Sequence, residues 1–128
     1  MKNLFLILTA LFFALNLTAC KKKEKTPTPE EIITEGRWRY YKVKEYPGGY
    51  ENQFNTYAEF AENGTLTIYA SDGSTVIISR PWSLNTDTNP MILTIGDKDH
   101  YIDKLNEKEL IFDEETSIGF NKHYMKKP

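Results

Sequence analysis

Ala58-Glu59-Phe60-Ala61-Glu62-Asn63-Gly64-Thr65-Leu66-Thr67-Ile68-Tyr69-Ala70 places apolar residues at every second position on either side of an Asn-Gly pair. Successive side chains of a strand point to opposite faces, so this alternation predicts two half-buried β-strands rather than a helix. Asn63-Gly64 is the turn, because both central positions of a type I′ hairpin need positive φ, which Asn and Gly tolerate. Asp72-Gly73 repeats the signal and joins a third strand to the first two.

Working outward, period-two patterns rich in Val, Ile, Thr and aromatic residues run from Arg37 almost to the C-terminus. They predict strands near Arg37–Tyr46, Thr56–Glu62, Thr65–Ala70, Thr75–Ser79, Trp82–Asn85, Met91–Ile95, His100–Leu105, Glu109–Asp113 and Ser117–Tyr124. Arg80-Pro81 interrupts a strand-like stretch, and since proline cannot donate to a ladder it marks a bulge or an edge. Thr75–Asn85 then reads as one bent strand. No connection is long enough for a parallel crossover, so the expected fold is all-β, an up-and-down barrel of about eight strands preceded by a short helix. Alternation points inward Trp38, Tyr40, Phe60, Leu66, Ile68, Val76, Ile78, Trp82, Leu84, Leu93, Ile95, Ile102, Leu110, Phe112, Ile118 and Phe120. A barrel of this size is either filled by such side chains or holds one small ligand, and the sequence leaves both open.

Ahead of the first strand, Thr28 is placed as the N-cap of a short helix, with Pro29 at its first position, Glu30 and Glu31 in its first turn, and Gly36 ending it. Trp38, opening the strand that follows, is placed to plug one end of the barrel as a structural residue. Earlier still lie Lys21-Lys22-Lys23-Glu24-Lys25 and Thr26-Pro27-Thr28-Pro29. Alternating prolines favour an extended spacer, which over these residues spans roughly 28 Å at about 3.1 Å each. This reading divides the chain into 1–19, a signal peptide; 20–35, a tether and short helix; and 36–128, the barrel.

The division rests on the first twenty residues. Lys2 precedes an apolar run from Leu4 to Leu15 broken only by Thr9, the length of a signal-peptide core. Carried to Leu17 as a helix it would span about 21 Å, short of the roughly 30 Å needed to cross a bilayer. Leu17-Thr18-Ala19-Cys20 then resembles the lipobox of bacterial lipoproteins. That resemblance implies a diacylglycerol thioether on Cys20, cleavage just before it, an acylated new N-terminus and a stable membrane anchor, since one acyl chain binds only marginally and two or three hold. Lys21 rather than Asp after the cysteine implies, by the same resemblance, the outer membrane, with the facing left open. Gly36-Arg37-Trp38 after a short helix, followed in order by Ala58–Leu66, Tyr101-Ile102 with Leu105, and Leu110-Ile111-Phe112, is similar to the short lipocalin-like lipoproteins of the Bacteroidota. In lipocalins the Trp packs under an Arg from the end of the last strand. No Arg follows Arg80 here, so Lys122 or Lys126 would take that place.

Composition narrows function by exclusion. Sixteen Lys+Arg against eighteen Asp+Glu give a net charge of −2 over 128 residues, a field too weak and of the wrong sign for nucleic acid. Cys20 is the single cysteine, which excludes an internal disulfide and a Cys-clustered zinc site. His100 and His123 are the two histidines, and are expected as surface strand residues, with no metal site and no cofactor. Asp97, Asp99 and Asp103 read as a polar hairpin turn without calcium-loop spacing, and Asp113-Glu114-Glu115 as an acidic turn. No nucleophile elbow or phosphate loop is present, so enzyme activity is not expected. Tyr46-Pro47-Gly48-Gly49-Tyr50-Glu51-Asn52-Gln53-Phe54-Asn55 is the longest irregular stretch. Tyr46, Tyr50 and Phe54 are therefore the ligand-binding candidates, on a lid at the barrel end opposite Trp38. The functional expectation is a monomeric, lipid-anchored envelope protein binding a small apolar molecule. The alternative is an interaction module, an accessory subunit or enzyme inhibitor, with a filled barrel.

Overall fold

The N-cap of the short helix forms as its residue types require. The Glu31 amide donates to Thr28 Oγ1 at 3.2 Å and the Thr28 amide to Glu31 Oε2 at 3.0 Å, a reciprocal capping box with proline just inside it. The computed structural model describes residues 25–128. The expected signal peptide and the lipobox-like residues Leu17, Thr18, Ala19 and Cys20 lie outside them. Helix α1 (Pro29–Thr34) ends where Gly36 turns to φ 66°, a left-handed conformation that any side chain would resist. Among the described residues no helix is long and apolar enough to cross a membrane.

Eight strands follow: β1 (Arg37–Tyr46), β2 (Glu51–Phe60), β3 (Thr65–Tyr69), β4 (Val76–Asn85), β5 (Ile92–Ile95), β6 (Lys98–Leu105), β7 (Glu109–Glu115) and β8 (Phe120–Lys126). Each pairs antiparallel with the next and β8 closes on β1, giving the expected up-and-down barrel. Closure removes every sheet edge. At Pro81 the strand runs on unbroken. Its pairing passes there from β3, ending at Thr65↔Pro81, to β5, beginning at Trp82↔Ile95, so the missing amide falls where the strand changes partner. The Asn63-Gly64 and Asp72-Gly73 hairpins form, but not as type I′ turns. Among the described residues none other than glycine has positive φ, and Gly64 and Gly73 follow turns closed by their own amides onto Ala61 and Ala70. The geometry is that of a three- or four-residue loop ending in a left-handed glycine.

The core fills the plugged end. Ile33 of α1, Trp38, Ala58, Phe60, Leu66, Leu93, Leu110 and Met125 are buried together. Trp38 donates its indole N–H to the Ile33 carbonyl at 2.9 Å, and Lys127 lies over the ring at 4.0 Å from its centroid. The cation expected from Lys122 or Lys126 is thus Lys127, just past the end of β8. Trp82 closes the same end, edge-on to Phe60 and bonded through its indole to the Ala61 carbonyl at 2.9 Å.

Four residues of the expected inward set lie elsewhere. Val76 and Ile78 are exposed, because this part of β4 pairs with β3 alone, β5 joining only from Trp82, and its register with β3 shifts between Ile68 and Tyr69. Ile118 sits in the β7–β8 turn at 84% exposure. Phe120 faces outward, since Met125 is the buried residue that sets the parity of β8. The lid from Tyr46 to Asn55 is largely strand: β2 begins at Glu51, leaving only Pro47–Tyr50 as a turn.

Candidate functional site

Above the apolar base, the inward positions of β1, β6, β7 and β8 become polar. His100 lies two residues before buried Ile102, Glu114 two after buried Phe112, and His123 two before buried Met125, so strand alternation turns all three inside. Pairing brings them level: His100 is opposite Glu114, and Phe112 opposite His123. His100 is only 6% exposed, contrary to its expected place on the surface, and His123 is largely buried. Glu114, expected in an acidic turn, is part of β7. Asp99 and Asp103 likewise belong to β6, leaving only Asp97 on the turn before it. They bond Thr94 and Lys122, each at 2.7 Å.

The cluster has a defined proton arrangement. The Leu93 carbonyl, 3.2 Å from His100 Nδ1, can only accept, so that nitrogen carries the proton and the neutral ring offers its lone pair at Nε2. His100 Nε2 lies 3.8 Å from Glu114 Oε2. His123 Nε2 donates to the same oxygen at 3.0 Å, leaving His123 Nδ1 to accept from the Tyr40 hydroxyl at 2.8 Å. Lys98 donates to the other carboxylate oxygen, Oε1, at 3.2 Å. Phe112 stacks on His123 at 4.8 Å and meets His100 edge-on at 5.2 Å, which fixes both rings.

Burial lowers the His123 pKa against the opposing pull of Glu114, favouring a neutral ring. Burial alone would raise Glu114, but hydrogen bonds from Lys98 and His123 outweigh it and hold the carboxyl below its usual range. Tyr40 is pushed well up by burial and by the charge on Glu114, so it stays a phenol and is not an activated nucleophile. On the rung facing Tyr40, Thr56 keeps a buried hydroxyl with no hydrogen-bond partner. The one imidazole pair, the one inward carboxylate of β7 and a phenol therefore converge inside the barrel.

The residues expected to bind a ligand separate. Phe54 turns inward and stacks on Tyr40, with ring centroids 5.0 Å apart and planes 8° from parallel. Tyr46 stacks instead on Phe120 of β8, an outward pair. Tyr50 stands at the turn, 73% exposed. The structural assignments of Gly36 and Trp38 match their places at the helix end and the plug. A cleft of about 570 Å³ lies between Thr26, Pro27, Ile32 and the β6–β7 turn, and another of about 520 Å³ lies beside α1 and the β2–β3 turn. Both are at the plugged end, outside the barrel. Comparison of the chain with protein-family models, with curated proteins and with solved structures found no match.

Proposed function

We propose that this is a lipid-tethered protein of the bacterial envelope, held at the outer membrane through acylated Cys20, whose barrel receives a small amphipathic molecule at its open end. The observation that carries the reading is the distribution of exposed apolar side chains. Tyr50, Phe54 and Ile118 lie on the β1–β2 turn, upper β2 and the β7–β8 turn, at the end opposite Trp38, and Val76, Ile77 and Ile78 add an exposed apolar run on the wall where β4 begins, after a β3–β4 turn whose Gly73 carbonyl accepts from Arg37. Exposed apolar groups gathered on one rim mark a binding surface more often than chance exposure does. Below that rim lie the polar groups of Tyr40, Thr56, His100, Glu114 and His123. The pairing of apolar rim with polar floor fits a ligand whose body is apolar and whose head can hydrogen-bond.

A second reading, a protein-docking module, draws on the solid packing of the plugged half and on clefts that lie outside the barrel. Native mass spectrometry of the purified chain separates the two. A retained small molecule, lost when Tyr50, Phe54 and Ile118 are replaced together by Ser with circular dichroism unchanged, supports the first. A chain that never carries one, and binds none from a panel of lipids and isoprenoids, overturns it.

A further inference from the structure

We propose that the barrel interior binds one divalent transition-metal ion of the zinc class through His100 Nε2, His123 Nε2 and Glu114 Oε2. The inference stands on the geometry of the cluster alone and holds whether or not a small molecule enters the mouth. One donor atom from each of the three residues lies within 4.8 Å of the other two. Zinc bonds of about 2.0–2.2 Å at tetrahedral angles require donors about 3.3 Å apart. The two separations from Glu114 Oε2, 3.0 and 3.8 Å, straddle that value, and the two imidazoles must draw together from the wider spacing to close the site.

The surroundings match what a metal-binding histidine needs. Such rings present one nitrogen to the ion and give the other N–H to a fixed acceptor, which sets the tautomer. His100 already does so, with Nδ1–H on the Leu93 carbonyl and Nε2 free to bind. For His123 the change is a proton shift from Nε2 to Nδ1, where the Tyr40 oxygen, 2.8 Å away, becomes the acceptor. The phenol serves both states because a hydroxyl can donate or accept. Lys98 engages only Oε1 and leaves Oε2 aimed at the imidazoles. Two nitrogens and one carboxylate oxygen suit a borderline ion and are wrong for calcium or magnesium, which take oxygen ligands throughout. Three protein ligands leave a further position for water or for a ligand atom.

The test is a Zn²⁺ titration of the full chain, stripped with chelator and held in a non-chelating detergent buffer, in competition with a chromogenic chelator. One equivalent is expected to bind and to raise the thermal midpoint, with Mg²⁺ doing neither. His100→Gln, His123→Gln and Glu114→Gln preserve size and are each expected to weaken binding at least about 10-fold, the order seen when even the outer partners of a metal site are lost. Should those variants misfold, Co²⁺ in the unaltered chain gives the answer. Paramagnetic shifts on both imidazole rings support the site, and shifts confined to other residues overturn it. So does Zn²⁺ binding that persists undiminished in a folded His100→Gln/His123→Gln chain, or its absence from the unaltered chain.

Discussion

Trp38 should dominate the stability of the plugged end, and the contacts of its ring allow the contribution to be divided. The side chain is fully buried, bonds the Ile33 carbonyl through its indole and lies under Lys127. Trp38→Ala removes the whole ring from a packed core and should cost about 3–5 kcal/mol. That is a large share of the roughly 5–15 kcal/mol available to a domain. Trp38→Phe keeps most of the apolar contact but strands the Ile33 carbonyl, and should cost about 1–3 kcal/mol. Lys127→Met tests the cation. A cation over an aromatic ring contributes about 0.5–2 kcal/mol, but burial also holds the Lys127 pKa below its usual value, a desolvation cost that offsets part of the gain. The net loss should be about 1 kcal/mol or less, and in the Trp38→Ala background it should shrink to what the Lys127 bond to the Glu35 carbonyl contributes. Urea unfolding followed by circular dichroism measures the original chain and the four variants, with an unchanged slope showing that the unfolded states are comparable. A loss below about 1 kcal/mol for Trp38→Ala would refute the plug. A Trp38→Phe chain as stable as the original would show that the indole hydrogen bond contributes nothing.

Gly119 in the β7–β8 turn meets β1 so closely that an added Cβ would overlap the Tyr46 carbonyl, with Tyr46 C at 2.9 Å; Gly119→Ala should cost about 1–3 kcal/mol in the same unfolding assay, and a neutral outcome would refute the close approach. Hydrogen bonds from the Thr75 hydroxyl and from the Thr75 and Ser74 amides lower the Asp72 pKa to about 2. Since the folded value lies below the unfolded 3.8, this carboxylate stabilises the fold fully above that pH and loses the effect as pH falls through about 2. An NMR titration finding Asp72 near 4 would sink that reading. Cys20→Ser should abolish incorporation of an alkyne-palmitate label and leave an uncleaved precursor; labelling that survives the change would remove the anchor. Replacing His100, Glu114 and His123 by Leu together with Tyr40→Phe should leave stability equal or higher, because apolar groups of similar shape match a buried polar network when its partners are removed together, and a loss above about 3 kcal/mol would show the cluster to be a structural support instead.

The fold was legible because closure of a meander needs little beyond alternation and turns. Trp38, Phe60, Leu66, Leu93, Ile102, Leu110 and Phe112 lie buried as their spacing required. The differences have separate physical origins. Alternation fixes which residues of a strand share a face, but not which face is inside. On β8 the choice of Ile118 and Phe120 as inward put the strand in the wrong parity, whereas Met125, near the chain end and not counted as apolar core, holds the right one. On β4 the first residues pair with β3 alone, so Val76 and Ile78 keep the strand pattern without the burial. The β1–β2 connection was misread because Glu51, Asn52, Gln53 and Asn55 are poor strand formers, and pairing to β1 overrides that preference.

The site stayed hidden for one of these reasons and for one more. His123 disappeared with the parity of β8. His100 and Glu114 did not: each sits two residues from an apolar residue already placed inside, so the pattern itself carried them into the barrel. Composition argues the other way, placing His100 on the surface for want of a further imidazole or thiol and Glu114 in an acidic turn, since charged and titratable residues are seldom buried. Inside a closed barrel that expectation fails whenever adjacent strands supply each other's partners, and here β6, β7 and β8 do so on neighbouring rungs. Packing alone does not call for this arrangement. The rings of Tyr40, His100 and His123 pack on Phe54 and Phe112, but their polar atoms and the Glu114 carboxylate lose water, and their mutual hydrogen bonds recover only what that loss costs. Leu or Phe at the same positions would extend the core upward at no such cost. A polar floor set directly over a fully apolar plug is therefore better explained by what it holds than by what it stabilises.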